Sequence, residues 1–161
     1  MYPSGWPVQV HYSGSVYTYD VADQQAILSA LAAAQTAEDQ EGWLSVVAYP
    51  MDSVSQHKIV EDLYNPDFPL TGLGLWVLAE KISQSALGMT LFASSRLASI
   101  ALAYWLPFHA WAAKQGLAVA NLSTHDLLAA VYGWQASNCS EESEIYKLNR
   151  TIFGSKNPWG R

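Results

Sequence analysis

The periodicity of apolar residues beyond residue 70 is the feature that most limits the folds open to this chain. From residue 71 to residue 153 apolar side chains recur at three- and four-residue spacing, as in helices that bury one face. Gly88 is placed to end the first helix. Pro107 either ends the second or begins a short continuation that stops at Gly116. The sequence therefore predicts a bundle of four or five helices over residues 71–153. The predicted helix starts are Thr71, Thr90, Asn121 and Ser140.

The first fifty residues follow a different pattern. Two runs rich in β-branched and aromatic residues flank residues 13–15 (Ser-Gly-Ser), which predicts a β-hairpin. Residues 26–37 carry helical periodicity, and the apolar run at residues 43–49, closed by Pro50, predicts a third strand. Because an isolated hairpin is marginally stable in water, we expect a β-β-α-β unit with one helix packed on a three-stranded sheet.

A polar and proline-punctuated stretch separates these two patterns. It contains Asn65-Pro66 and Phe68-Pro69, which are typical of turns and loops. The predicted fold class is thus α+β, a three-stranded β-β-α-β unit followed by a helical bundle. The predicted divisions are a small subdomain at 1–50, a linker at 51–70, a helical subdomain at 71–153 and an extended tail at 154–161.

Composition and charge exclude several classes of protein. Half of the 161 residues are apolar, which is enough to enclose a core. Eight Lys and Arg stand against fourteen Asp and Glu, for a formal charge of −6, so no basic patch is available for a phosphate backbone. We therefore expect no nucleic-acid partner. The single cysteine, Cys139, cannot form an intrachain disulfide, which fits a protein of a reducing cytosol.

Membrane and targeting signals are weak. Residues 1–7 lack a basic region followed by an apolar stretch, so we expect no secretory signal. The best membrane candidate, residues 97–113, is shorter than the roughly 20 residues of a bilayer span, and it contains Pro107 and His109. We expect a buried core helix there and no membrane partner. A membrane-associated helical protein remains an alternative.

The sequence contains few residues arranged for chemistry. His57 and Glu61 have the spacing of two metal ligands on one helix face, but no second ligand pair lies nearby. His109 lies among apolar residues, and Cys139 lacks a catalytic partner in the sequence. We therefore predict a protein that is not an enzyme and holds no cofactor or metal. The alternative is a small cytosolic enzyme whose dispersed site uses His57, Glu61 and His109.

Aromatic content is the more unusual property. Most of the seven tryptophans, Trp43 and Trp76 among them, fall in periodic segments where core filling explains them. Trp6 and Trp159 instead lie in terminal segments rich in Pro and Gly, where a monomer would have difficulty burying them. Aromatic side chains in irregular segments are suited to docking on a neighbour. The predicted partner-binding residues are Tyr2, Trp6, Pro158 and Trp159.

Three stretches of the chain carry a resemblance to a known group. They are residues 62–70 (Asp-Leu-Tyr-Asn-Pro-Asp-Phe-Pro-Leu), residues 96–105 with their continuation at 108–111 (Phe-His-Ala-Trp), and residues 127–134 (Leu-Leu-Ala-Ala-Val-Tyr-Gly-Trp). The chain resembles small proteins encoded in the virion-structure and assembly region of tailed phages that infect actinobacteria. It departs from them at residues 91–94 (Leu-Phe-Ala-Ser), where an aromatic pair is expected.

The resemblance implies a non-enzymatic virion protein or assembly factor. The role would be that of a head, connector or tail component, or of a chaperone for its assembly. The implied partners are other phage structural proteins or copies of the chain itself. The implied location is the host cytoplasm during assembly, with the virion as a second location.

Overall fold

The computed structural model describes residues 7–19, 24–67 and 70–154. Within these ranges the chain forms a β-hairpin and eight α-helices. The strands are β1 (Val8–Tyr12) and β2 (Ser15–Tyr19). In chain order the helices are α1 (Gln24–Ala33), α2 (Gln40–Ala48), α3 (Ser53–Leu63), α4 (Gly72–Ile82), α5 (Leu91–Ala103), α6 (Trp105–Lys114), α7 (Thr124–Ser137) and α8 (Glu142–Phe153). A π-helix at Ser83–Leu87 continues α4, and a 3₁₀ helix at Val119–Asn121 precedes α7.

The predicted hairpin is confirmed. The two strands are antiparallel, with Val8 opposite Tyr19 at the open end. The turn residues Ser13 and Gly14 have φ of 50° and 84°, the left-handed conformation that two-residue hairpin turns require. Tyr17 and Tyr19 of β2 are buried, so one face of the hairpin joins the core.

The prediction of a three-stranded β-β-α-β unit followed by four or five helices is wrong, because residues 43–49 do not form a strand. All but the last of them lie in α2. The charged segment before this run, expected to be a turn, supplies a helix cap instead: Asp39 Oδ1 accepts a 2.7 Å hydrogen bond from the backbone N–H of Gly42. A short apolar run fits either period, and here packing on α4 favours the helix, with the adjacent Val46 and Val47 both buried.

The edge of β2 pairs with the start of α3 rather than with a strand. A single bridge joins Tyr19 to Met51. The backbone N–H of Asp52 donates to Thr18 O at 3.0 Å, and the Thr18 N–H donates to Ser55 Oγ at 2.7 Å. These bonds satisfy backbone groups of an edge strand. Helix α3 occupies residues 53–63 of the predicted linker at 51–70. The predicted division into subdomains stays a prediction.

Two of the four predicted helix starts are confirmed, whereas α7 is capped by Ser123 instead of Asn121 and α8 by Glu141 instead of Ser140. Thr71 and Thr90 cap α4 and α5 through their hydroxyl oxygens. Gly88 ends the π-helix in the left-handed conformation, with φ of 66°. Pro107 lies in the first turn of α6, where its missing N–H breaks no helical hydrogen bond. The continuation predicted after Pro107 is thus a separate helix.

The core lies between the helices, with the hairpin at one side. Helix α1 packs most extensively on α5, and α2 packs on α4. Fully buried side chains include Leu28 of α1, Leu78 of α4, Leu97 of α5 and Phe108 of α6. The predicted core helix at residues 97–113 is divided at Tyr104 between α5 and α6.

Among the described residues, we find no single helix with the length and apolar composition needed to cross a bilayer. One bent pair, Gly72–Leu87 with Leu91–Ala103, meets that test of length and composition when the two helices are taken together, with 71° between them.

Candidate interaction surface

The four residues predicted to bind a partner are Tyr2, Trp6, Pro158 and Trp159. All of them lie outside the described residues. Their role stays a prediction.

The residues of the alternative enzyme site lie on two different helices. His57 and Glu61 share an exposed face of α3, where His57 Nδ1 is 2.7 Å from Ser53 O. His109 is half-buried on α6, with Nδ1 2.9 Å from Trp105 O and its ring centroid 4.1 Å from that of Trp105. Both histidines thus use one ring nitrogen within their own helix. In the part of the chain that the structure describes, no three His, Cys, Asp or Glu side chains are grouped to hold a metal ion.

A groove of about 320 Å³ opens between the end of α1 and helices α2, α4 and α5. We call it the aromatic groove because three large rings line it. Its defining side chains are Trp43, Trp76 and Phe92, together with Gln35, Glu80 and Arg96.

Helix α4 directs its tryptophan away from the core. Leu75 and Leu78 on the inner face are fully buried, whereas Trp76 is 44% exposed. Leu73, one turn earlier on the same outer face, is 72% exposed. The outer face of α4 therefore exposes two large apolar side chains, of which Trp76 lines the groove.

The first turns of α5 form the opposite wall. Phe92 is 45% exposed. The guanidinium of Arg96, one turn later, lies over its ring with Cζ 3.3 Å from the ring centroid. This is a cation–π contact, and it holds both side chains in place while part of the ring stays open.

Polar contacts join the helices around the groove. The Glu80 carboxylate accepts a 3.0 Å hydrogen bond from the backbone N–H of Leu91 and a 2.9 Å bond from Gln84 Nε2. Its negative charge thus lies at the positive end of the α5 dipole. From the turn that follows α1, Gln35 Nε2 donates to Ser95 O at 2.8 Å. Because these contacts join α4 and the turn after α1 to α5, the groove is held on packed elements and is organised before a partner arrives.

The residue types of the groove are suited to binding and not to bond chemistry. Exposed aromatic rings and arginine are enriched at the centres of protein interfaces. The six defining residues include no nucleophile paired with a base. The surface can therefore bind an apolar or aromatic side chain of another polypeptide.

Sequence reasoning missed this surface. It placed Trp43 at the start of a strand and assigned Trp76 to core filling. A signal was nevertheless present: the buried stripe of α4 contains Leu75, Leu78 and Ala79, and Trp76 lies beside that stripe rather than on it.

A second, polar pocket of about 680 Å³ lies between the hairpin turn, the end of α3 and the start of α4. Asp62 is its central group. Tyr17 Oη donates to Asp62 Oδ2 at 2.6 Å, and Lys58 Nζ donates to Asp62 Oδ1 at 2.7 Å. One carboxylate thus connects β2 to α3.

The pKa shifts of Tyr17 and Asp62 fit a structural role for their hydrogen bond. Burial, together with the hydrogen bond to Asp62, raises the pKa of the Tyr17 phenol above its ordinary value. Partial burial acts to raise the pKa of the Asp62 carboxyl, but hydrogen bonds from Lys58, Tyr17 and Ser15 outweigh it and the pKa is lowered. A tyrosine that serves as a base or nucleophile needs a lowered pKa. Tyr17 has the opposite shift.

The three stretches used for the phage resemblance contribute residues to the polar pocket, to the aromatic groove and to the core. The first begins at Asp62, and the second begins at Arg96 of the aromatic groove. The third lies in α7, where the Trp134 ring centroid is 5.8 Å from that of Phe108. Comparisons with protein-family models, with curated proteins and with solved structures found no match to this chain.

Proposed function

We propose that this chain is a non-enzymatic bacteriophage structural or assembly protein that acts through protein–protein contacts at the aromatic groove. The observation that carries the proposal is the convergence of Trp43, Trp76 and Phe92 on one open groove. The phage setting comes from the resemblance of residues 62–70, of 96–105 with 108–111, and of 127–134. The proposed partners are other phage structural proteins or copies of the chain, met in the host cytoplasm during assembly.

Solvation energetics support a binding role for the groove. Large aromatic side chains gather at the surface of a monomer at a free-energy cost, and contiguous exposed apolar patches commonly mark interaction sites. A ring that enters a partner's surface loses contact with water, so its truncation typically weakens binding by ~2 kcal/mol or more. Trp76 is the more exposed of the two tryptophans in the groove, so we expect its ring to be the main contact with a partner.

Incorporation into particles tests the proposal. A tagged full-length chain is supplied during infection of an actinobacterial host, and its amount in purified virions and in assembly intermediates is measured by quantitative mass spectrometry. We expect wild type in one or both fractions. Trp76→Ala should reduce the amount about thirtyfold, which corresponds to ~2 kcal/mol of lost binding.

The matched control is Tyr146→Ala. Tyr146 is 61% exposed on α8 and does not line the groove, so its truncation should leave incorporation unchanged. The thermal unfolding midpoints of both variants should stay close to that of wild type, as is usual for surface substitutions. Absence of the wild-type chain from virions and from intermediates would refute the proposal.

A further inference from the structure

Helix α3 carries a surface that neither the core nor the aromatic groove uses. One face of the helix is buried, and the opposite face is lined by Val54, His57, Glu61 and the C-terminal cap residue Tyr64, all of them exposed. The two apolar members, Val54 and Tyr64, are 78% and 77% exposed. We call these four residues the α3 seam. No element of the described chain covers it.

The seam has the spacing of a helix that packs on a second helix. Its members are three, four and three residues apart, the a–d repeat by which two helices pack side by side. Ile59 occupies the position opposite this repeat, and its side chain is fully buried. The seam therefore points directly away from the molecule.

The order of residues along the seam makes it complementary to itself. An apolar residue stands at each end, and His57 and Glu61 lie between them. When a second copy of α3 lies antiparallel, Val54 is opposite Tyr64 of the second copy, and His57 is opposite its Glu61. In a parallel pair each Glu61 would instead face the Glu61 of the other copy, and like charges repel. The charges therefore favour an antiparallel pair with two-fold symmetry.

The Glu61 carboxylate is available for such a contact. Lys58, three residues earlier on the same helix, donates its 2.7 Å bond to Asp62 instead. Within the described residues Glu61 makes neither a hydrogen bond nor an ion pair. In the monomer its charge is therefore solvated by water.

The protonation of His57 decides how strong the contact is. Its Nδ1 lies 2.7 Å from Ser53 O, and because a carbonyl oxygen only accepts, this nitrogen carries a proton. The other ring nitrogen, Nε2, donates to a carboxylate only when the ring is the doubly protonated imidazolium. Histidine gains that charge as the pH falls from about 8 to about 5. Mild acid should therefore favour the pairing of His57 with Glu61.

The elements packed on α3 bring no further charge to the seam. Strand β2 and helix α2 hydrogen-bond to α3 at three residues turned away from the seam, Ser55, Gln56 and Asp62. Tyr17 is the titratable group that β2 brings, and it donates to Asp62. Glu41 of α2 lies at the far end of that helix from α3. The charged groups next to His57 are thus those of its own helix, Lys58 and Glu61.

We propose that α3 is a self-association surface, at which two copies of the chain pair antiparallel about a two-fold axis at the level of Ile59. Val60, 45% exposed beside the seam, then lies near Val60 of the second copy and adds apolar contact. Two three-turn helices bury less than the ~1,200 Å² of a standard interface, so the dissociation constant should lie between micromolar and millimolar. The inference concerns a second surface and does not rest on the proposed function.

Analytical ultracentrifugation of the full chain at pH 6 tests the pairing. Wild type should pass from monomer to dimer as its concentration rises from about 10 µM to about 2 mM. Glu61→Lys should weaken the dimer about tenfold or more, because it places two cations together, and His57→Glu should do the same with two anions. The double variant that exchanges the charges, His57→Glu with Glu61→Lys, should restore the dimer.

The pH dependence separates this contact from general apolar association. Raising the pH to 8 should weaken the wild-type dimer, because His57 loses its charge. The dimer of the exchanged double variant should be nearly unaffected, since glutamate and lysine keep their charges over this range.

Two variants serve as controls. Glu38→Lys makes the same change of charge at an exposed residue outside the seam and should leave the dimer intact. Trp76→Ala, in the aromatic groove, should also leave it intact. Circular dichroism should show wild-type helix content in every variant, as is usual for surface substitutions.

Several results would overturn the inference. They are a wild-type chain that stays monomeric at about 2 mM and pH 6, a Glu61→Lys variant that dimerises like wild type, and an exchanged double variant that stays monomeric. A dimer lost in Trp76→Ala but kept in Glu61→Lys would assign self-association to the aromatic groove instead. None of these results refutes the proposed function, which is tested by incorporation into particles.

Discussion

Tyr17 Oη donates a 2.6 Å hydrogen bond to Asp62 Oδ2 across 45 residues of sequence. This bond attaches the hairpin to α3, and Lys58 holds the other oxygen of the same carboxylate at 2.7 Å. Because the tyrosine is buried and its acceptor is charged, the bond belongs to the stronger class of intramolecular hydrogen bonds.

Removal of the Tyr17 hydroxyl should destabilise the fold. We expect Tyr17→Phe to lower the free energy of unfolding by about 1–2 kcal/mol, since a hydrogen bond to a charged group is lost while the ring stays packed. Urea denaturation at pH 7 measures the change. Tyr12→Phe, which removes a hydroxyl from the same pocket, should change stability by less than about 0.5 kcal/mol. Equal effects of the two variants would contradict a specific role for the Tyr17–Asp62 bond.

Acid should weaken the same connection. The pKa of Asp62 is lowered in the folded protein, so its contribution is complete above the unfolded value of about 3.9 and is lost as the pH falls through the folded value. Asp62→Asn should therefore be less stable than wild type at pH 7, and the difference should shrink below about pH 4. Urea midpoints measured from pH 7 to pH 2.5 give this comparison. A difference that stays constant over that range would show that the charge of Asp62 is not the stabilising element.

The two faces of α4 should respond differently to truncation. Leu78 is fully buried, and Leu78→Ala should lower the free energy of unfolding by about 2–5 kcal/mol, through lost burial and the cavity left behind. Trp76→Ala should cost less than about 1 kcal/mol despite the larger side chain, because much of the ring is already in water. Thermal and urea unfolding of the two variants test the contrast. A loss for Trp76→Ala comparable to that for Leu78→Ala would mean that Trp76 supports the fold rather than a surface.

Two glycines should give changes of opposite sign on substitution by alanine. Gly88 has φ of 66°, and although an added Cβ would meet only ordinary contacts with His125, the left-handed backbone should make Gly88→Ala cost roughly 1–2 kcal/mol. Gly133 lies within α7 and has space for a Cβ, with only Trp111 Cη2 at 3.9 Å. Gly133→Ala should therefore raise stability by about 0.5–1 kcal/mol through higher helix propensity. Denaturant midpoints of both variants check the two signs.

Local chemistry made much of the fold predictable from sequence. The hairpin turn at residues 13–15, the threonine caps at Thr71 and Thr90 and the stop at Gly88 each depend on a few neighbouring residues. Their energies act within one or two turns of chain, so they can be inferred without knowing what packs nearby.

The aromatic groove was not predictable in the same way. Its defining residues come from the turn after α1 and from α2, α4 and α5. The pattern of apolar residues along the chain does not show that these elements approach one another. Trp43 and Trp76 are large apolar residues of the kind that fill protein cores. Only the packing of α2 on α4 shows which side of each helix remains in contact with water.

By itself, then, the sequence determined the hairpin at the start of the described chain, the caps of α4 and α5 and the helix stop at Gly88. The tertiary structure decided that residues 43–48 are helical and that Trp76 faces outward, because both depend on α2 meeting α4. The physical reason is that backbone caps and turns are short-range, whereas burial of an apolar side chain is settled by whichever distant element covers it.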